Sequence, residues 1–375
     1  MAEYRVNLIR RAWNTAMVAA LACRERRVPF WPPERIAAVQ RKRLPAILRH
    51  AYRTVPFYRQ AMRDRGLRPE DFRTADDLSK LPLVDDLLVR KHMDQFVSTA
   101  WAARARVTLR TSGTLSRVLK MVYWDYPASL RKLAIAERDR SVLNGLLGKG
   151  WGQVQAYLLP EASISIELRQ FWDACTLTPR GLARRHWLSS AAPYDEAAEF
   201  INAVRPEVVF SYGSYAAEFF RWLADKRISV ALPRVWAYGG DMMAAAAREL
   251  AEQTFGCKIY STYQAVETGR IGFQCQRREA FHLNTDYCAV RLIDEAGRPV
   301  PPGEPGRDRG QQPVQPGHGV AQLPHGRRRR SVGRAVPLRS DLAAAGRPAK
   351  QGQPDHRPAR WPTDQGPDGG VGLQG

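Results

Sequence analysis

Apolar positions recur every three or four residues across 34–65, the spacing of amphipathic helices, with a break at Pro56. Upstream, Arg5–Cys23 is mildly amphipathic and Pro32-Pro33 closes that first helix. Asp71–Leu81 offers a cap and a short helix. From Val107 the period changes: VTLRTSGTLSRVLKMVYW reads as strand, polar turn, strand. Pro127–Leu147 returns to a helix, with Ala and Leu on one face and a solvated face of Arg131, Lys132, Arg138 and Arg140. Val154–Pro160 is a short strand and Tyr194–Asn202 a helix. Pro206–Ile228 reads strand, turn, helix. Leu232–Ala237 is a strand, Ala244–Phe255 a helix and Lys258–Ser261 a strand. This β/α alternation predicts an α/β fold with a parallel-rich sheet flanked by helices on both faces.

After Gly306 the grammar fails. Residues 307–375 hold only ten of Val, Ile, Leu, Met, Phe, Trp, Tyr and Cys, in no helical or strand period, while Gly, Pro, Gln and Arg dominate. Such a segment cannot bury enough apolar area to offset its ordering entropy. The expected organisation is a helical N-terminal region (1–100), an α/β part of the same large domain (101–306) and a disordered basic tail (307–375).

The length of 375 residues allows a large core, and a net charge of +21 raises polyanion binding as a function class. The excess is spread along the chain. Residues after Gly306 carry 12 Lys/Arg against 5 Asp/Glu, leaving +14 elsewhere. Nucleic acid is therefore not the expected partner. Five widely spaced cysteines fit reduced thiols and a cytoplasmic setting. Cys275 and His282 could supply half a zinc site, but the further cysteines that complete such a site in some relatives are absent, and a buried thiol beside an ordinary His is the preferred reading. The apolar stretch Ala16–Cys23 is too short to span a bilayer and is bracketed by Arg10, Arg11 and Arg24–Arg27. A cytoplasmic helix is favoured there over an export signal, with contact at a membrane surface left open.

Three turns carry candidate chemistry. Thr111, Ser112, Gly113, Thr114 and Ser116, with Lys120 just beyond, offer hydroxyls, a glycine backbone and a cation to a polyphosphate. The same residues also suit a plain turn between strands. Tyr212, Gly213 and Ser214 end a strand, where open α/β sheets bind ligands. A βα turn among buried aromatics explains them equally well. Gly239, Gly240 and Asp241 end the next strand, and Tyr263 and Glu267 lie on the turn after the third.

In that order and spacing these stretches resemble the adenylate-forming enzymes, nearest to the phenylacetate–CoA ligase and CapK-like capsule-biosynthesis group. The resemblance runs from about Tyr4 to Gly306 and includes Leu44–Leu83, which is similar to that group's opening helices. It implies the large N-terminal domain of such an enzyme. It also implies roles. Thr111, Ser112, Gly113 and Thr114 would hold the β- and γ-phosphates of ATP, with Lys120 behind them. Gly239, Gly240 and Asp241 would pack on adenine. Tyr263 would stack near nucleotide and acyl group, Glu267 would help to hold Mg2+, and Tyr212, Gly213 and Ser214 would border the acyl pocket. The implied reaction is attack of a carboxylate on the α-phosphorus of ATP to give an acyl-adenylate and pyrophosphate, followed by thioester formation with coenzyme A.

The chain departs from the family pattern. Ser116 replaces a second glycine of the phosphate loop, and Val118 stands where proline is common. The Y-G-x-T-E type sequence becomes Tyr263-Gln264-Ala265-Val266-Glu267, without its glycine and hydroxyl. Codons can also be chosen for Asp308–Arg329 so that the shifted frame reads VIVGSNLFNPATVLLNYRMGDVG, which closely resembles the family's next motif. A frameshift near Arg307 is therefore expected. It would remove the ribose-binding Asp and the small C-terminal domain with its catalytic Lys, leaving an impaired ligase. The alternative is a non-catalytic basic protein that binds nucleotide, nucleic acid or an anionic surface.

Overall fold

The computed structural model describes residues 6–100, 106–111, 120–177, 183–278, 280–293, 306–310 and 328–329. Helix α1 (Leu8–Glu25) is followed by α2 (Pro33–Thr54), α3 (Pro56–Arg63), α4 (Asp86–Lys91) and α5 (Met93–Phe96). Strands β1 (Arg106–Thr111) and β2 (Lys120–Asp125) lead into α6 (Tyr126–Ile135) and α7 (Glu137–Leu147). Then come β3 (Gln153–Leu159), α8 (Ile164–Cys175), β4 (Ala183–Ser189), α9 (Tyr194–Val204), β5 (Val208–Tyr212), α10 (Gly213–Lys226) and β6 (Val235–Gly239). The remainder is α11 (Ala245–Glu249), β7 (Lys258–Ala265), β8 (Gly269–Gln274), β9 (Phe281–Leu283), β10 (Val290–Ile293), β11 (Gly306–Gly310) and β12 (Arg328–Arg329).

Seven strands form the main sheet in the order β4-β3-β5-β6-β7-β8-β9. The first five are parallel, and β8 and β9 add antiparallel at one edge. The α/β, parallel-rich expectation holds. Strand β3 is flanked by β4 on one side and β5 on the other, so the winding direction reverses there. Such a switch point opens a crevice at the carboxyl ends of the strands. One face buries Val209, Trp236 and Ile259 against Phe219, Phe220 and Leu223 of α10, together with α9 and α11. The other buries Val208, Val235 and Ala237 against Val142, Leu146 and Leu147 of α7.

The N-terminal helices form a separate cluster, with Leu48, Tyr58, Met62 and Phe72 fully buried. Helix α1 packs elsewhere, on the β1–β2 hairpin and α8 through Met17 and Val18. The predicted break at Pro56 appears, since Pro56 starts α3 at a position where its missing N–H costs nothing.

Three expectations need correction. The Pro127–Leu147 helix is two helices meeting at Ala136, and its basic face is not wholly solvated: Lys132 and Arg138 are buried. Helix α8 and strand β4 were not legible; β4 is an edge strand whose exposed positions break the apolar run. Beyond Gly306, residues 306–310 and 328–329 carry ladder pairing to β10 and to each other, where no strand was expected.

Candidate active site

The carboxyl ends of β5 and β6 are adjacent, with Tyr212 opposite Gly239 in register. Two of the three candidate turns therefore meet. The Asp241 carboxylate reaches across and accepts hydrogen bonds from the backbone N–H of Gly213, the N–H of Ser214 (3.1 Å) and the Ser214 hydroxyl. These N–H groups open α10 and have no partner within the helix. A carboxylate there also meets the positive end of the helix dipole. Asp241 is thus a capping group for α10 supplied from another strand, and it fixes the Tyr212–Ser214 turn against the Gly239–Gly240 turn.

The glycines are required by contact. A Cβ on Gly213 would lie 2.7 Å from the Met242 carbonyl carbon and the Met243 nitrogen, which are backbone atoms that cannot step aside. Gly240 has φ +83°, and a Cβ there would meet the Tyr212 ring at 2.7 Å. One edge of the Tyr212 ring thus packs against a bare glycine backbone in a conformation that favours glycine.

The third strand brings Thr262 and Gln264 to this place. A Cβ on Gly239 would lie 3.0 Å from Gln264 Nε2 and 3.2 Å from Thr262 Oγ1. The β7–β8 ladder shifts register between Tyr263 and Gln264, a local irregularity that re-aims side chains. Tyr263 is buried with Ala265, Ile271 and Cys288, its ring edge-on to Phe281 at 6.1 Å. Thr262 was not singled out by sequence, and Gln264 only as a departure from the family pattern. The signal for Gln264 was its place in the stretch where the family pattern has glycine.

Glu267 lies on the turn between β7 and β8. Beneath it is Lys132 of α6, whose Nζ donates to the Glu267 carbonyl oxygen at 3.3 Å and sits 3.1 Å from the centroid of the Trp124 ring on β2. Burial pushes the Lys132 amine well below its ordinary pKa, opposed by the nearby carboxylates of Glu267 and Asp125. Lys132 therefore joins the strand that leaves the candidate phosphate hairpin to the turn carrying the candidate metal acid. Val266 adds an apolar link by packing on the hairpin's cluster. The clue to Lys132 was its spacing of three from buried Ser129 and Ile135, which puts it on the helix's inward stripe.

Within the hairpin, Thr111 and Lys120 are described by backbone pairing alone, facing each other at the open end of the ladder. Ser112, Gly113, Thr114 and Ser116 lie outside the described residues.

A second set of buried charges holds the frame. Arg138 donates to Glu25 (2.7 Å through Nε), Asn284 (3.0 Å) and both carboxylate oxygens of Asp286 (2.6 and 3.0 Å). Arg43 also reaches Asp286 at 3.1 Å. Helices α1, α2 and α7 and the loop after β9 thus share one ion-pair network.

Among the described residues no three His, Cys, Asp or Glu side chains gather as a metal cage. Mg2+ takes one or two carboxylates plus phosphate oxygens and water, so a single Glu267 carboxylate fits that ion when a nucleotide completes the shell.

No family model matches the chain. It is 22% identical over 282 residues to a phenylacetate–coenzyme A ligase of Thermus thermophilus, a match covering 73% of this chain and 61% of that protein. A phenylacetate–coenzyme A ligase of Escherichia coli is 43% identical over 49 residues, 13% of this chain. The chain thus spans about 61% of the length of the Thermus relative. Among solved structures, 2-hydroxyisobutyryl-CoA ligase in the postadenylation state in complex with R3-HIB-AMP superposes with a TM-score of 0.62 at 16% identity, over 79% of this chain and 63% of that one. The same enzyme in complex with 2-HIB-AMP and CoA gives 0.60 over 79% and 64%. The fold is shared with these adenylate-forming acyl-CoA ligases, and the resemblance to phenylacetate–CoA ligases is borne out.

Proposed function

We propose that this chain carries the nucleotide- and acid-binding part of an ATP-dependent acid–thiol ligase, which joins a carboxylic acid to AMP and then to coenzyme A. The observation that supports this most is the locked pair of turns at the carboxyl ends of β5 and β6, tied by Asp241, beside a sheet switch point. In this reading the Gly239–Gly240–Asp241 turn packs on the adenine ring. Tyr212, Gly213 and Ser214 border the acyl group. Thr111–Thr114 and Lys120 hold the phosphates, and Glu267 holds Mg2+, whose role when bound is to neutralise charge on the leaving pyrophosphate.

Turnover is expected to fall below that of the relatives. Gln264 fills space beside Gly239 where the family pattern has glycine, and Val266 replaces a hydroxyl. The partner strand of β10 reads Gly-Arg-Asp-Arg-Gly, whereas the shifted frame reads Val-Ile-Val-Gly from Asp308 on. We infer that the natural gene continues in that frame, and DNA sequencing across residues 295–375 tests this. ATP–pyrophosphate exchange with a panel of aryl and hydroxy acids tests the activity. Acid- and Mg2+-dependent exchange is expected. Absence of both exchange and AMP binding overturns the proposal.

A further inference from the structure

Helix α1 buries polar side chains and exposes large apolar ones. Its polar side chains point into the protein: Asn14 is buried, donating to the Tyr126 hydroxyl and the Cys175 carbonyl at 2.8 Å each. Arg11 donates to the Thr176 carbonyl at 2.8 Å, and Glu25, the helix's one acid, is taken up by Arg138. Met17 and Val18 pack inward beside these polar groups, but three large apolar side chains nearer its start point out. Leu8 is 68% exposed, Ile9 83% and Trp13 72%, with exposed Ala12, Ala16 and Ala20 continuing the stripe. A surface helix ordinarily places its charges on the outer face and its apolar stripe on the core.

We propose that this outer face of α1 lies on an anionic lipid bilayer. The charges around it select that occupant. No carboxylate of α1 faces out, and exposed Arg10, Arg24, Arg26 and Arg27 rim the stripe. Phe30, 42% exposed, extends the apolar surface beyond the helix end beside Arg26 and Arg27. A helix with Trp and Leu on one side and Arg at its margins binds in the plane of a bilayer interface. Two copies meeting through this face would bring like charges together in a chain of net charge +21. No helix among the described residues is long and apolar enough to cross a membrane, so the contact is peripheral.

The test is co-sedimentation of the full chain with vesicles of phosphatidylcholine alone or mixed with phosphatidylglycerol, at about 0.1 M salt. Binding to the anionic vesicles is expected, with Trp13→Glu weakening it on the order of tenfold or more because an interfacial indole is exchanged for a charge. Arg26→Glu with Arg27→Glu should reduce the preference for phosphatidylglycerol by a similar order, each basic group contributing about 1 kcal/mol near such a surface, or about fivefold. These positions are exposed, and unchanged far-UV circular dichroism checks that folding is intact. Failure to bind anionic vesicles overturns the proposal. So does binding that Trp13→Glu leaves unchanged, which would assign it to other basic segments. A dimer in sedimentation velocity that Trp13→Glu dissolves, without vesicle binding, overturns it in favour of a second copy.

Discussion

Replacing Asp241 by alanine removes three acceptor contacts at once, from Gly213 N–H, Ser214 N–H and the Ser214 hydroxyl. The cost can be worked from their surroundings. Losing a capping acceptor costs about 1 kcal/mol. The carboxylate's favourable place at the helix N-terminus adds about 0.5 kcal/mol. Gly213 is buried, so its orphaned N–H adds at least about 1 kcal/mol, whereas exposed Ser214 can turn to water. The expected loss is therefore about 2–3 kcal/mol in urea denaturation, with an unchanged m value. Asp241→Asn keeps a neutral acceptor for the N–H groups and should lose about half as much. AMP titration is the second reading. If the Gly239–Gly240 turn carries adenine, Asp241→Ala weakens AMP binding by more than its effect on the folded fraction. Asp241→Ala within about 0.5 kcal/mol of the parent, with AMP binding intact, would refute the argument that this carboxylate holds the two turns together.

Arg138→Met leaves the Glu25 carboxylate buried without its cation, and breaking a buried pair of this kind costs about 3–5 kcal/mol; a loss under about 1 kcal/mol by denaturation would remove the network from the account. Gln264→Gly frees the space against Gly239, so AMP binding should tighten several-fold in calorimetry while stability drops by about 0.5–1 kcal/mol from glycine in a strand. His50 and His282 both have pKa values lowered by burial. Their folded pKa values lie below the unfolded value of 6.5, so their contribution is complete above pH 6.5 and is lost as pH falls through that value toward the folded ones. Denaturation midpoints should decline from pH 7 to pH 5, and the decline should flatten in a His50→Asn, His282→Asn variant.

The sheet was legible because each strand of its centre is a short apolar run bounded by turn residues: Val154–Pro160, Pro206–Tyr212 and Leu232–Ala237 all lie within three residues of the bounds of β3, β5 and β6. Strand β4 escaped because Ala183–Ser189 carries Arg184, Arg185 and His186, and its strand character comes from pairing with β3. That is tertiary context overriding local preference. The turns after β5 and β6 were legible as glycine-bearing strand ends, and register explains their meeting: parallel neighbours end together, so Tyr212 and Gly239 must be adjacent.

The charged residues were legible only as types. Lys132 and Arg138 read as solvated because a charge on a helix ordinarily is. What buries them lies far along the chain. The groups around Lys132 are on Trp124 and Glu267, and the partners of Arg138 are Glu25, Asn284 and Asp286. A cation can be taken out of water only where the folded chain delivers acceptors to it. Burial of these two groups is therefore a property of the assembled fold and of no local window. The same reasoning bears on α1. Its inward Arg11 and Asn14 are satisfied by α8 carbonyls and Tyr126, which releases Leu8, Ile9 and Trp13 to the outside. The apolar stripe of this mildly amphipathic segment was free to face outward because distant residues supplied partners to the polar side chains.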